Sequence, residues 1–411
     1  MQTTFRLFFV FIFFLAATPT LFAQATPKDS LPRFIFEGYG SMQYSKYNWQ
    51  IFPDKRSEID LERFTMGGGY RFDKQWSMQG EIEIEHGGTG ATVEFDRFEE
   101  FGEFEYEIEK GGEILLEQLH IDFTPSANSI IMAGRVKVPF GLYNFMDEPK
   151  EYSTTSLPEM ESAILPTAWT EMGIATQHKL GKLTLRTALI SGLDGSAFNS
   201  ANFVRRGNQR RFETVKAEDL ALAIRLDYQI GDNADTKIGA SFYGGNTRNN
   251  RPKPDLKVDA YLALADVHAT LEGKLIRGSL LGVWGVLQNS EAVTIANRSL
   301  SNNLNVKRTP VGSQALGVSA EVGLQLFELW RKTPHKDALM AFLRYDYYDT
   351  QFRTEGLVFN NPRWERQTAT IGLNYSPIPQ IIFKAQYSYT DFGTNVADKQ
   401  KTFSMGLGFQ F

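Results

Sequence analysis

Six basic side chains carry most of the chemistry this chain could do. Arg135 and Lys137 lie on one face of an alternating stretch whose other face reads Ile130, Met132, Val136, Val138 and Phe140. Arg186, Arg225, Arg344 and Lys384 alternate with apolar neighbours in the same manner. A guanidinium grips phosphate or carboxylate through two parallel hydrogen bonds, and rings of Arg and Lys in a pore favour anions. A tighter cluster, RRGNQRR, holds Arg205, Arg206, Arg210 and Arg211, with Arg248, Arg251, Lys253, Arg298, Lys307 and Arg308 in later polar stretches. Such clusters suit small anionic solutes, or lipopolysaccharide phosphates at an outer surface. The plainer alternative is ionic pairing with Asp227, Asp346, Glu171 and Glu321.

Catalysis finds no comparable support. His86, His120, His178, His268 and His335 are scattered over different segments, and neither HExxH nor GxSxG occurs. The GGGYRF run lacks the Lys-Ser/Thr of a phosphate loop. With no cysteine at all, disulfide frameworks, thiolate chemistry and cysteine metal sites are excluded. The expectation is a non-enzyme with no metal or cofactor.

Inward-pointing charges need elements that hold them off the lipid, and period-2 patterns supply these. Strands are predicted at 34–46, 57–70, 75–86, 113–123, 129–140, 170–179, 182–192, 218–230, 236–246, 257–271, 274–288, 313–327, 337–350, 365–376, 380–391 and 401–411. In EDLALAIRLDYQI, Leu220, Leu222, Ile224, Leu226, Tyr228 and Ile230 oppose Ala221, Ala223, Arg225, Asp227 and Gln229. Faces are mixed at 57–70 and 257–271. Short links such as RFDK, KLG, EGK and SPIPQ alternate with long ones at 47–56, 87–112, 141–169, 193–217, 247–256, 289–312, 351–364 and 392–400. That alternation is the mark of a transmembrane antiparallel β-barrel with short periplasmic turns and long extracellular loops, here of about 16 strands. An open sheet edge in lipid would leave N–H and C=O groups unsatisfied, so the sheet must close. Sixteen strands leave a lumen too wide for wall side chains to fill.

Both ends of the chain agree. KTFSMGLGFQF puts Phe403, Met405, Leu407, Phe409 and Phe411 on one face and Ser404, Gly406, Gly408 and Gln410 on the other. Ending on Phe411 resembles the signal read by the barrel-assembly machinery. Met1 to Ala25 shows one basic residue, Arg6, then LFFVFIFFLAA and small residues, the order of a secretory signal peptide. The expected domains are therefore a signal peptide, 1–25, and an all-β barrel domain, 26–411. Removing Arg6 takes the formal charge from −5 to −6, which argues against a nucleic-acid partner. A mean hydropathy of −0.29 does not exclude membrane insertion, because barrel strands conceal their apolar face by alternation. Few residues separate the predicted cleavage point from the first strand, leaving no room for the N-terminal plug of an active transporter.

A bare tube of this width leaks, so one loop should fold inward. GLYNFMDEPKEYSTTSLPEMESAILPTAW (141–169) is the candidate, stiffened by Pro149, Pro158 and Pro166 and carrying Asp147, Glu148, Glu151, Glu159 and Glu161. The loop at 87–112 contains EFEYEIEK and could form a hairpin above the rim.

The segment GRVKVPFGLYN (134–144), the strand TEMGIATQHKLGKLTLRTALISG, the opening FEGYGSMQYSKYN, ERFTMGGGYRF and the closing FSMGLGFQF together resemble the phosphate-selective porin family, the O and P type. The resemblance implies a sixteen-strand homotrimeric channel with basic residues along the permeation path, matched here by Arg135 and Lys137. The expected function is an outer-membrane porin passing small anionic or neutral hydrophilic solutes. Its other partners are expected to be outer-membrane lipid and lipopolysaccharide. The alternative is a structural or adhesin-like barrel with no open pore.

Overall fold

The structure, a computed structural model, describes residues 33–50, 52–88, 112–209, 214–233, 235–300, 309–331, 336–394 and 399–411, with the backbone of 92–96 and 105–109. The predicted signal peptide lies outside the described residues. Strands β1 (Phe34–Trp49), β2 (Glu58–Arg71), β3 (Trp76–Glu85), β6 (Glu113–Ser126), β7 (Ser129–Lys137) and β8 (Thr170–Leu180) form the first part of one sheet. It continues through β9 (Leu183–Ser191), β10 (Leu220–Gln229), β11 (Lys237–Asn246), β12 (Tyr261–Glu272) and β13 (Ile276–Leu287). Strands β14 (Gln314–Gln325), β15 (Ala338–Arg353), β16 (Glu365–Ile378), β17 (Ile381–Phe392) and β18 (Gln400–Gln410) complete it. Each pairs antiparallel with its neighbours, and β18 returns to β1, closing a sixteen-strand barrel. A separate hairpin, β4 (Thr92–Asp96) and β5 (Glu105–Glu109), stands in the second long loop.

Closure follows from the terminal strands. Tyr39 to Trp49 face Gln410 to Gln400 in unbroken register. Phe411 N donates to Gly38 O at 2.8 Å, and Gly38 N donates back to Phe411 O at 3.0 Å. The Phe411 ring lies over Gly38, where an added Cβ would come within 2.7 Å of it. Among the described residues the barrel sheet itself therefore keeps no open edge to face lipid unsatisfied.

The wall is inside out relative to a soluble barrel. Leu222, Leu226, Tyr228, Leu280, Leu343, Ile371 and Leu373 are exposed, whereas Arg225, Asp227, Asp266, Arg344 and Asp346 are buried. An exposed apolar band of this extent has a physical rationale in lipid and none in water.

Both mixed-face segments have identifiable causes. The β1–β2 register shifts between Ser41 and Gln43, so β2 carries one extra residue, and its alternation changes phase there. A similar shift between Glu81 and Ile82 leaves Glu117 of β6 as the extra residue. In β12 the inward Leu262 and Leu264 are apolar because loops pack against them from within the barrel.

These long loops share a core. Phe198, Phe203, Val204, Leu256, Val293 and Val311 are buried together, with helix α2 (Ser290–Arg298) among them. Asn297 of α2 donates to Gly195 O at 3.1 Å and accepts from Arg251 Nη1 at 2.7 Å. Helix α1 (Glu159–Ile164) belongs to the third long loop and sits inside the barrel, where Met160 occupies space left by Gly317. Among the described residues no helix is long and apolar enough to cross a membrane.

Candidate functional site: the inward loop and its anchors

The loop 141–169 leaves the wall at Gly141, whose φ of +80° suits glycine. A side chain there would also strike Glu161, 2.4 Å from the Cβ position. Both backbone groups of Gly141 are held: its N–H donates to Asp266 Oδ2 at 3.0 Å, and its carbonyl accepts from Arg225 Nη1. The next three N–H groups, of Leu142, Tyr143 and Asn144, all donate to the Glu161 carboxylate, at 2.9, 3.0 and 3.2 Å. Burial pushes the Glu161 carboxyl up to about 7, against the pull of those N–H groups. Asn144 closes the base of the loop: its Nδ2 donates to Val138 O at 2.8 Å, and its Oδ1 accepts from Trp169 N at 2.7 Å.

From this base the loop crosses the lumen, anchored by the wall along the way. Tyr143 Oη accepts from Arg344 Nη1 at 2.6 Å and lies 3.1 Å from Ser279 Oγ. Arg63 Nη2 donates to Asp147 O. Arg277 donates to the carbonyls of Lys150 and Glu151 at 3.0 and 3.1 Å. Lys384 Nζ donates to Tyr152 O at 2.8 Å and Thr154 O at 2.7 Å. Asn374 Nδ2 reaches Ser153 O at 3.0 Å, and Gln386 Oε1 accepts from Thr155 N at 2.9 Å. Gly406 and Gly408 of β18 leave the room that Thr155 and Pro149 occupy. These bonds hold the segment against the inner face of the wall.

Arg225, Arg344 and Lys384 all point inward, with 1%, 1% and 5% of their surface exposed. Arg225 also forks onto Asp227 at 2.8 and 2.9 Å, and Arg344 onto Asp346 at 2.8 and 2.7 Å. Arg186 faces inward beside them, donating to Asp227 Oδ2 at 2.7 Å and to Gln177. Arg186, Arg225 and Lys137 gather around the Phe145 ring, 5.2, 4.8 and 6.0 Å from its centroid.

The premise for Arg135 and Lys137 needs correction. Met132, Val136 and Val138 do not face lipid but pack in the interior core, the last two fully buried. Arg135 is on the opposite face, paired with the exposed Leu119 and Met172, and its Nε donates to Thr170 Oγ1 at 3.2 Å. Lys137 lies beyond the last β6–β7 pair and reaches Asp147 Oδ2 at 3.1 Å. The β7–β8 ladder outlasts the β6–β7 ladder, so the chain parts from β6 before the loop begins. The loop then covers the apolar side of β7 from within.

Arg205 and Arg206 lie in a single turn, Arg205–Gly207, of the fourth long loop. Arg210, Arg211, Lys307 and Arg308 lie outside the described residues. Next to β7 in the wall, β3 and β6 bring Glu81, Glu83, Glu85 and Glu113 to one stretch, with Arg63 3.5 Å from Glu83. On the loop, burial pushes the Glu151 carboxyl up to about 7.

Composition did not mark His268 as important. Its Nδ1 lies 2.6 Å from Asp266 Oδ1, and its Nε2 lies 2.9 Å from Asp227 Oδ1. Gly239 supplies the space for the imidazole: a Cβ there would sit 2.3 Å from Nε2. His120 Nδ1 is likewise 2.6 Å from Asp122 Oδ1. The available signal was the i,i+2 spacing of Asp266 with His268 and of His120 with Asp122, which puts both members on one strand face. Among the described residues no group of three or more His, Asp or Glu is placed to hold a metal ion.

No family model matches the chain. It is 24% identical over 357 residues to an uncharacterized protein of Aquifex aeolicus, covering 86% of this chain and 75% of that one. The following two are among the solved structures that share its architecture. OmpF of Salmonella typhi in complex with daunomycin has a TM-score of 0.55 at 10% identity, over 92% of this chain and 97% of that one. The anion-selective porin from Comamonas acidovorans has a TM-score of 0.54 at 9% identity, over 92% and 99%. The fold of this chain is therefore that of the outer-membrane porin barrels.

Proposed function

We propose that this protein is an outer-membrane porin that lets small hydrophilic solutes diffuse passively through a lumen narrowed by the loop 141–169. The observation carrying this reading is the loop anchored across a closed sixteen-strand wall whose exterior is apolar and whose interior is charged. Wall side chains alone cannot fill a barrel of that strand number, and an inward loop sets the bore. The exposed apolar band supports a membrane location. The signal peptide, the assembly role of Phe411 and the lipopolysaccharide contacts belong to the same proposal. Homotrimer formation rests on the family resemblance.

Anion preference is the finer part of the proposal. Arg225, Arg344 and Lys384 are tied to carboxylates or loop carbonyls, so their main part is to seat the loop. Lys137 and Arg186 keep 19% and 26% of their side chains exposed and are the groups best placed to meet an anion. The carboxylates of β3 and β6, on the strands next to β7, offset this positive charge, which favours a weak preference over tight phosphate binding.

One observation favours the second reading, a barrel without an open pore: the loops bury an apolar core inside the wall. Planar-bilayer recording separates the two. Stepwise currents are expected of the porin, and a protein that inserts without conducting would overturn it. Reversal potential under a salt gradient then reports the sign of the preferred ion.

A further inference from the structure

The link between β14 and β15 differs from the other short links of the barrel, because it contains a helical turn, α3 (Leu326–Trp330). That turn does not hang below the wall. The Phe327 ring lies 6.4 Å from that of Tyr375, an outward residue of β16, so α3 reaches across β15 on the outer face. Leu329 and Trp330 are left 52% and 66% exposed. They continue the apolar band formed on that side by Leu324, Tyr375 and Ile378.

Charge surrounds this apolar pair. Arg331 stacks on Phe327 at 3.6 Å and bonds Asp337 at 2.7 Å, while Lys274 pairs with Glu328 at 3.1 Å. An aromatic and a Leu flanked by cations at the rim of a lipid-facing band match the chemistry of the bilayer interface. There rings sit at headgroup level, and basic side chains extend toward phosphate.

We infer that α3 is an interfacial anchor, seating Leu329 and Trp330 among the phospholipid headgroups and upper acyl chains at the short-turn end of the barrel. This inference rests on the membrane reading above. It commits to lipid as the occupant because the patch is continuous with the lipid-facing wall.

The absence of cysteine makes the test direct. Leu329→Cys and, as a mid-wall reference, Leu280→Cys carry an environment-sensitive fluorophore in the full chain refolded into phosphatidylcholine–phosphatidylglycerol vesicles. Lipids bearing quenchers near the headgroup or deep in the acyl chain, and aqueous iodide, then report depth. The expected result is loss of fluorescence at position 329 with the shallow quencher and protection from iodide, while position 280 responds to the deep one. Iodide quenching at 329 with lipid quenching at 280 overturns the anchor and leaves the membrane barrel standing. Iodide quenching at both positions overturns the membrane barrel itself. Protection at 329 from every quencher, with disulfide-linked dimers of Leu329→Cys, would assign the patch to a second copy and also overturn the anchor.

Discussion

His268 and the hinge residue Gly141 are joined through one carboxylate: Asp266 accepts from Gly141 N with Oδ2 and lies 2.6 Å from His268 Nδ1 with Oδ1. The wall thus grips the point where the chain turns into the lumen. Arg225 completes the grip by bonding both Asp227 and the Gly141 carbonyl. Replacing His268 with Ala leaves two buried carboxylates short of a partner, a loss of about 3–5 kcal/mol when one member of a buried pair is removed. The expected outcome is lower resistance to denaturant together with larger, noisier single-channel currents. Wild-type currents in a folded His268→Ala barrel would contradict the hinge role.

Lys384 and Arg186 should separate pinning from selectivity. Lys384 holds two loop carbonyls, so Lys384→Met leaves them unsatisfied at a cost of about 1–3 kcal/mol and frees residues 152–155. Current amplitude should rise with little change in reversal potential. Arg186→Ala removes a partly exposed cation and should move the reversal potential toward cations. The opposite pairing of effects would refute this division of labour.

Gly408 tests how the loop is seated. A Cβ there would stand 2.5 Å from Pro149 and 3.0 Å from Ile382. Gly408→Val should overpack the contact at about 1–3 kcal/mol, displacing the loop while β18 still pairs with β1 and β17. Limited proteolysis of intact vesicles should then cut within 145–156 in the variant only.

The loop carboxyls give a pH dependence of definite sign. Burial raises Glu161 and Glu151 from the usual 4.5 to about 7, so the seated loop holds protons that a released loop gives up. Their contribution to seating is complete below pH 4.5 and is lost as pH rises through about 7. Channel noise should therefore grow from pH 4.5 to 8, with a smaller rise in Glu151→Gln. A flat profile in the wild-type protein would rule this out.

Much of the wall could be read in advance because one face of each strand must meet lipid. Leu220 to Ile230 alternate without fault, and β10 is found at Leu220–Gln229. The closing strand and the sixteen-strand count followed from the same constraint. The phase of β7 could not be read this way. Its apolar residues meet a dry interior built by a loop distant in space, and alternation does not say which apolar face is inside. Partners of buried charge were equally hidden: Arg344 meets Tyr143 across 201 residues of sequence, and Lys384 meets Tyr152 across 232. Such pairings depend on the closed wall, which local pattern does not encode.

A ring of sixteen strands is a thin hoop, and sideways bilayer pressure tends to flatten it toward an ellipse. The segment running from Gly141 past Tyr143 to Thr155 meets β10, β12, β13, β15, β16 and β17 like spokes from an off-centre hub. Flattening the hoop would have to stretch some of these spokes and slacken others. The bonds that seat the loop inside the wall would thereby also resist that flattening.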